Sequence, residues 1–202
     1  MDRRRPAIAL ATLILSLLMA APAGAAEPNY PDPDSLLVNG TFNSTPTATV
    51  PIKGWTPRGT IRTERFGTRS FPSVAYGRKY RGGARYLSCW GGSGGSVVQS
   101  VGIPAGRDTR FWRAKFQVSQ GGVLGHRVYV RIEALDGNDN VLNVESQTKV
   151  LEVTNHYKKS FAGINLRPDT VRIRVTLRLM PKRGATRCKV VADTANLTIE
   201  RA

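Results

Sequence analysis

Residues 169–180 read DTVRIRVTLRLM, and this stretch decides the fold. Val171, Ile173, Val175, Leu177 and Leu179 fall on one side of an extended chain, and Arg172, Arg174, Thr176 and Arg178 on the other. Successive side chains of a strand alternate faces, so one face is apolar and the other basic. A one-residue slip in pairing would bury three guanidiniums, which pins the register. The stretch predicts a β-strand with its apolar face on a core.

Other segments follow the same pattern. Thr109–Val118 places Trp112, Ala114, Phe116 and Val118 on one face, and His126–Leu135 turns Val128, Val130 and Ile132 inward. Asp136-Gly137-Asn138 is a turn signal leading to a strand at Val141–Val144. Arg85–Trp90 and Val97–Val101 read as two strands, with the glycine-rich 91–96 as a hairpin connection between them. A phosphate-cradling loop would need a lysine and a following helix, and this segment has neither. Leu36–Val38, 58–64, 72–76, Val150–Val153, Tyr157–Ile164 and Thr186–Glu200 supply further short strands. No segment shows sustained helical periodicity, and no internal repeat is present. Roughly ten short strands with regular turn signals predict an all-β protein, an antiparallel β-sandwich of the jelly-roll type.

The ends bound the domain. Arg3, Arg4 and Arg5 precede an apolar run from Ala7 to Met19, and Ala23-Gly24-Ala25 supplies a small-residue cleavage pattern. That run is shorter than the roughly 20 residues that span a bilayer. The expected organisation is a signal peptide at 1–26, an extended Pro/Asp-rich leader at 27–34 and a β-sandwich domain at 35–202. The Ala-rich signal and the bias of Arg over Lys point to a bacterial source. The chain is therefore expected to be secreted, extracellular or attached to the cell envelope. Its formal net charge is +16, and cleavage leaves 27 basic and 13 acidic residues spread through the domain. A charge of that size attracts polyanions whatever the fold. Cys89 and Cys188, an even pair in an exported chain, favour a disulfide. His126 and His156 show no zinc-ligand spacing with them.

Catalytic patterns are weak. Glycosidase chemistry needs two carboxyls roughly 5–10 Å apart, whereas most acids here sit in turns or beside basic residues. Ser100, His126 and Asp136 stand in no nucleophile-elbow context. The sequence points away from an enzyme and toward binding. Arg172, Arg174 and Arg178 share one face, Arg127 and Arg131 flank Tyr129 on another strand, and Arg113 and Lys115 do likewise on a third. Neighbouring strands would merge these into one basic patch. Otherwise they form a solvated back whose Arg stems cover apolar surface. A second candidate is 58–86, where eight basic residues face a single acid, Glu64, and aromatics are interleaved. Tyr76, Tyr80, Arg81 and Tyr86 are its candidate ligand contacts, since aromatic faces stack on sugars and Arg grips oxyanions with two donors. Trp55, Trp90 and Trp112 are expected in the core.

The two ends of the domain carry a recognisable pattern. Leu37-Val38-Asn39-Gly40-Thr41-Phe42-Asn43 followed by Gly54-Trp55 resembles the opening of carbohydrate-binding modules of bacterial cellulases and xylanases, members of the galactose-binding-like jelly rolls. Val97–Val101 leading to Ile103-Pro104-Ala105-Gly106, the aromatic pair Phe111-Trp112 and the closing Val190–Leu197 extend the match over nearly the whole mature chain. The resemblance implies a jelly roll and carbohydrate binding. It also implies a possible structural calcium, with Asp193 as its carboxylate. Asn43 stands where the family often has a second acid, so backbone carbonyls would have to complete the site. The resulting expectation is a secreted, non-catalytic module for a polysaccharide, an anionic one given the charge. The alternative is an envelope-associated protein-interaction or structural domain with a basic adhesive surface. Extracellular nucleic acid and anionic lipid are lesser candidate partners.

Overall fold

The structure, a computed structural model, describes residues 35–43, 52–68, 85–103, 109–152 and 156–202. The signal peptide and leader, and the strand expected at 72–76, lie outside the described residues. Ten strands are present among them: β1 (Thr56–Gly59), β2 (Arg62–Arg65), β3 (Arg85–Ser88), β4 (Gly95–Gly102), β5 (Trp112–Gly122), β6 (Arg127–Leu135), β7 (Val141–Val150), β8 (Lys158–Asn165), β9 (Arg172–Met180) and β10 (Val190–Arg201). They form two five-stranded antiparallel sheets, ordered β1-β4-β9-β6-β7 and β2-β3-β10-β5-β8. This is the expected jelly-roll sandwich. No helix among the described residues is long and apolar enough to cross a membrane.

The opening stretch becomes β9, the middle strand of the first sheet. Ile173, Val175, Leu177 and Leu179 are fully buried in one core with Phe116, Val118 and Leu197 of the other sheet. Burying side chains of this size contributes about 1.5–3 kcal/mol each. Val171, which shares their parity, precedes the strand and is 45% exposed, because it lies beyond the end of the core.

The two ends of the domain are stitched together. Trp55 packs on Phe42 with ring centroids 5.5 Å apart, and its indole N–H donates to the Asn39 carbonyl at 3.2 Å. Asn39 has φ +55°, and a Cβ at Gly40 would collide with the carbonyl oxygen of Ala195. The tight Asn-Gly turn is therefore required where the first loop crosses β10.

Several expected elements differ. The strand expected at 58–64 is divided between β1 and β2, which belong to opposite sheets. Leu36–Val38 forms no strand: the Leu36 N–H donates to Leu197 of the second sheet at 2.8 Å. Both backbone groups of Val38 bond to the buried side-chain amide of Gln99 on the first sheet, at 2.7 and 2.9 Å. The segment spans the two sheets, so it cannot pair with either. Of the strand expected at Val150–Val153, Val150 is the last residue of β7, Leu151 and Glu152 are in no strand, and Val153 lies outside the described residues. The glycine-rich 91–96 is not a hairpin either, since β3 and β4 belong to different sheets. Gly91 and Gly94 have φ +84° and +96°, which lets the chain turn over the sandwich edge.

The Cys89–Cys188 disulfide forms at this crossing, closing a sequence separation of 99. The Gly91 N–H donates to the Cys188 carbonyl at 2.9 Å. Because the bridge closes so long a loop, replacing both cysteines with serine is expected to lower unfolding free energy by about 2–5 kcal/mol. Urea titration followed by tryptophan fluorescence measures the loss.

Candidate functional site

β9 and β6 are neighbours, so the two basic strands of the first sheet do merge. Their register sets Tyr129 opposite Arg178, Arg131 opposite Thr176 and Glu133 opposite Arg174. Cross-strand partners share a face, and the outer strands extend these pairs into rows. One row runs Arg58, Ser96, Arg178, Tyr129, Thr148 across all five strands. The next runs Thr56, Val98, Thr176, Arg131, Ser146. The result is an open groove of about 740 Å³ on the outer face of the first sheet, reaching Arg127 and Met180 at one end.

At its centre Glu133 is buried, 4% exposed, and bonded to guanidiniums from two strands. Arg174 Nε donates to Glu133 Oε2 at 2.8 Å and its Nη2 to Oε1 at 3.1 Å, while Arg131 Nη2 donates to Oε1 at 2.6 Å. Burial pushes the Glu133 carboxyl up, but the hydrogen bonds from Arg174 and Arg131 outweigh it and hold the carboxyl below its ordinary value. The Tyr129 hydroxyl, with Glu133, holds the Arg131 guanidinium charged. No acidic group among the described residues pairs with Arg58, Arg127 or Arg178. The groove is thus cationic at its rim and keeps a positive excess at its centre, where one carboxylate meets two guanidiniums.

The remaining candidates separate. Arg172 shares the face but pairs with Asp139 at 3.2 Å, away from the groove. Arg113 and Lys115 lie on β5 of the other sheet, where Lys115 Nζ sits 5.9 Å from the Phe161 ring centroid. Tyr86 is a correction. It is fully buried on the second sheet, packed edge-on against Phe66 at 5.0 Å, and its hydroxyl donates to Glu64 at 3.0 Å. A ring enclosed this way cannot stack on a ligand. Tyr76, Tyr80 and Arg81 lie outside the described residues. Trp55 is buried as expected, whereas Trp90 and Trp112 are half-buried and pack at the margins of the apolar clusters.

Asp193, the carboxylate that the resemblance offers to calcium, is buried in the β10 bulge, where its Oδ1 accepts the Thr194 N–H at 2.8 Å. Burial pushes its pKa up to about 8. Asn43, in place of a second acid, uses its side-chain oxygen to accept the Arg85 N–H at 2.8 Å. No group of three or more His, Cys, Asp or Glu side chains among the described residues could hold a metal. A cation there would rest on Asp193 and uncharged oxygens.

The residues that sequence reasoning missed are Glu133, Ser96, Thr148 and Arg58 as part of one groove. Glu133 carries a local signal, since it sits two residues beyond Arg131 on the outward parity of β6.

No protein-family model and no curated protein matches the chain. Solved structures do. A family 61 carbohydrate-binding module in complex with β-1,4-galactotriose aligns with a TM-score of 0.57 and 16% identity, covering 83% of this chain and 99% of that one. The C-terminal family 22 carbohydrate-binding module of a Clostridium thermocellum protein, described for ligand binding in its cleft, aligns at 0.50 with 13% identity over 84% and 97%. A Stig cyclase from Fischerella aligns at 0.55 with 16% identity over 83% and 98%.

The Glu133 pair network generates a stability prediction. A carboxyl with a lowered folded-state pKa contributes stability above the ordinary value of 4.5 and loses it as the pH falls through the folded value. Glu133→Gln is expected to cost about 3–5 kcal/mol at neutral pH, leaving two guanidiniums without their acid. The difference from the parent should shrink toward pH 3, near the low end of carboxylate titration. Denaturant titrations of both proteins across this range measure it. What the alignments establish is the fold: this chain is an antiparallel β-sandwich jelly roll, similar in fold to these carbohydrate-binding modules.

Proposed function

We propose that the chain is a secreted, non-catalytic binding module that holds an anionic polysaccharide in the groove of its first sheet. The observation that carries this reading is the groove's charge pattern. Arg58, Arg127 and Arg178 border Tyr129 with no acidic partner among the described residues, while Glu133 is held by Arg131 and Arg174. Guanidiniums grip carboxylate or sulfate oxygens with two donors. The half-buried Tyr129 ring offers a surface for a sugar, and the hydroxyls of Ser96, Thr148 and Thr176 can donate to and accept from sugar hydroxyls. The carbohydrate class takes support from the fold relative that binds β-1,4-galactotriose. The anionic character rests on this chain's own arginines. With one acid in the groove, already paired, the two free carboxyls of glycoside hydrolysis are not offered there. The disulfide and the signal-peptide pattern at 1–26 support export.

A polyuronate and its methyl-esterified form, compared by affinity electrophoresis, test the proposal because they share a sugar backbone and differ only at the carboxyl group, which is charged in one and neutral in the other. The acidic form should bind at least about tenfold more tightly, with Tyr129→Ala and Arg178→Ala each weakening it about tenfold. Affinity should fall with added salt. Equal affinity for the two polymers, or variants that bind like the parent, would overturn it. A protein partner captured in high salt with no glycan bound would replace it with an envelope-interaction domain. Retention of single-stranded nucleic acid alone would point to that polymer instead.

The same reading includes a structural calcium at Asp193, and its test is pH-dependent. A carboxyl raised to about 8 favours the folded state fully below its ordinary value of 3.8, and that stability is lost as the pH rises through 8. The melting temperature should therefore fall between these values, and Asp193→Asn should flatten the slope. Calcium must displace the proton, so it should raise the melting temperature more at the upper end of this window than at the lower. A melting curve indifferent to calcium throughout removes the ion.

A further inference from the structure

β7 is the edge of the first sheet, pairing along its length with β6 and with no other described strand. It is ten residues long and contains no Pro or Gly, the residues that commonly blunt an edge. Val141, Val144 and Val150 on it are 45%, 46% and 49% exposed. The Leu151 N–H donates to the His126 carbonyl at 2.8 Å, which turns the odd-numbered backbone groups of this strand toward β6. The alternation of an antiparallel ladder then turns the even-numbered groups of Ser146, Thr148 and Val150 to the open side. The Val144 N–H is also turned away from β6 and is met by the Asn143 side-chain oxygen at 2.9 Å.

We propose that β7 pairs antiparallel with β7 of a second copy of this chain, about a two-fold axis at Gln147. Ser146 then lies opposite the partner's Thr148, Val144 opposite the partner's Val150 and Glu145 opposite the partner's Lys149. Every pair occurs twice, as an isologous contact requires. The even-numbered pairs are those whose backbone groups face outward, so the register and the hydrogen-bonding parity agree. Opposite charges directly across strands attract, and like charges repel. Centring on Ser146 or Thr148 instead sets Glu145 or Lys149 opposite Gln147 and forfeits both charge pairs. The strand's two charges thus select a single alignment and disfavour indiscriminate edge pairing.

The contact bears on the groove. Val150, Thr148, Ser146 and Val144 are the cross-strand partners of Arg127, Tyr129, Arg131 and Glu133, so they share the groove's face. Joining two β7 strands fuses the first sheets into one continuous sheet with both grooves open on the same side. Two grooves on one rigid body engage a repeating polymer more tightly than either alone, because the second contact is intramolecular.

Sedimentation of the purified protein over a wide concentration range, at fixed moderate salt, is expected to show a monomer–dimer equilibrium. Lys149→Glu or Glu145→Lys alone sets like charges opposite at two places and should raise the dissociation constant at least about tenfold. The double variant Glu145→Lys/Lys149→Glu exchanges the partners and should return the constant to within about threefold of the parent. Circular dichroism of all variants should match the parent, since Glu145 is exposed and Lys149 half-buried on the edge strand, and neither belongs to the apolar core. A monomer at every concentration overturns the proposal. So does a dimer indifferent to the single reversals, or single-reversal losses that the double variant fails to repair.

Discussion

Glu133 is a buried carboxylate bonded to guanidiniums from two adjacent strands, and the outer face of the first sheet depends on it. Side chains directly opposite on paired strands stand about 5 Å apart, a distance at which uncompensated arginines repel. Arg174 and Arg131 lie on adjacent strands, β9 and β6, about one-third exposed to the open groove. One acid, approached from both sides, lets them sit there charged. Such a pair network has little net stabilising value against an apolar replacement, but it is costly to break. Its effect is positional: it fixes two long side chains and leaves at the rim Arg58, Arg127 and Arg178, which have no acidic partner among the described residues.

The inner face of the same strand supplies the rigidity that this arrangement needs. Ile173, Val175, Leu177 and Leu179 are packed in the shared core, so β9 cannot twist or slide without opening it. The first loop adds a second restraint. Gln99 clasps the backbone of Val38, and Trp55 reaches the carbonyl of Asn39, which ties the opening segment to both sheets. The disulfide anchors the crossing from β3 to β4, the strand that carries Ser96 into the groove. Groove residues therefore stand on regular strands braced from behind rather than on loops.

Legibility in the sequence followed the range of the interaction. Alternation is a property of neighbours, so β9, β6 and β5 could be read from their own residues, along with the outward set Arg127, Tyr129, Arg131, Arg174 and Arg178. Tyr86 was misread for the complementary reason. It alternates with arginines as a ligand-binding tyrosine would, but the acid that accepts its hydroxyl's hydrogen bond is 22 residues away. The glycine-rich 91–96 looked like a hairpin because local composition specifies a turn and says nothing about which sheet the chain enters next. Glu133 had the right parity, yet nothing near it in sequence predicts Arg174, 41 residues on.

The sequence by itself determined an all-β sandwich, the buried face of each long strand, the cysteine pair and a basic surface, because these follow from side-chain alternation, composition and spacing along the chain. Only the tertiary structure decided that β9 and β6 are neighbours, and hence that their arginines form one groove. It likewise decided that Arg113 and Lys115 belong to the opposite sheet, and that the groove's one acid is already held. Strand order and sheet membership arise from contacts between residues far apart in the chain. A strand's own pattern tells it which side to bury, and says nothing of which strand will lie beside it.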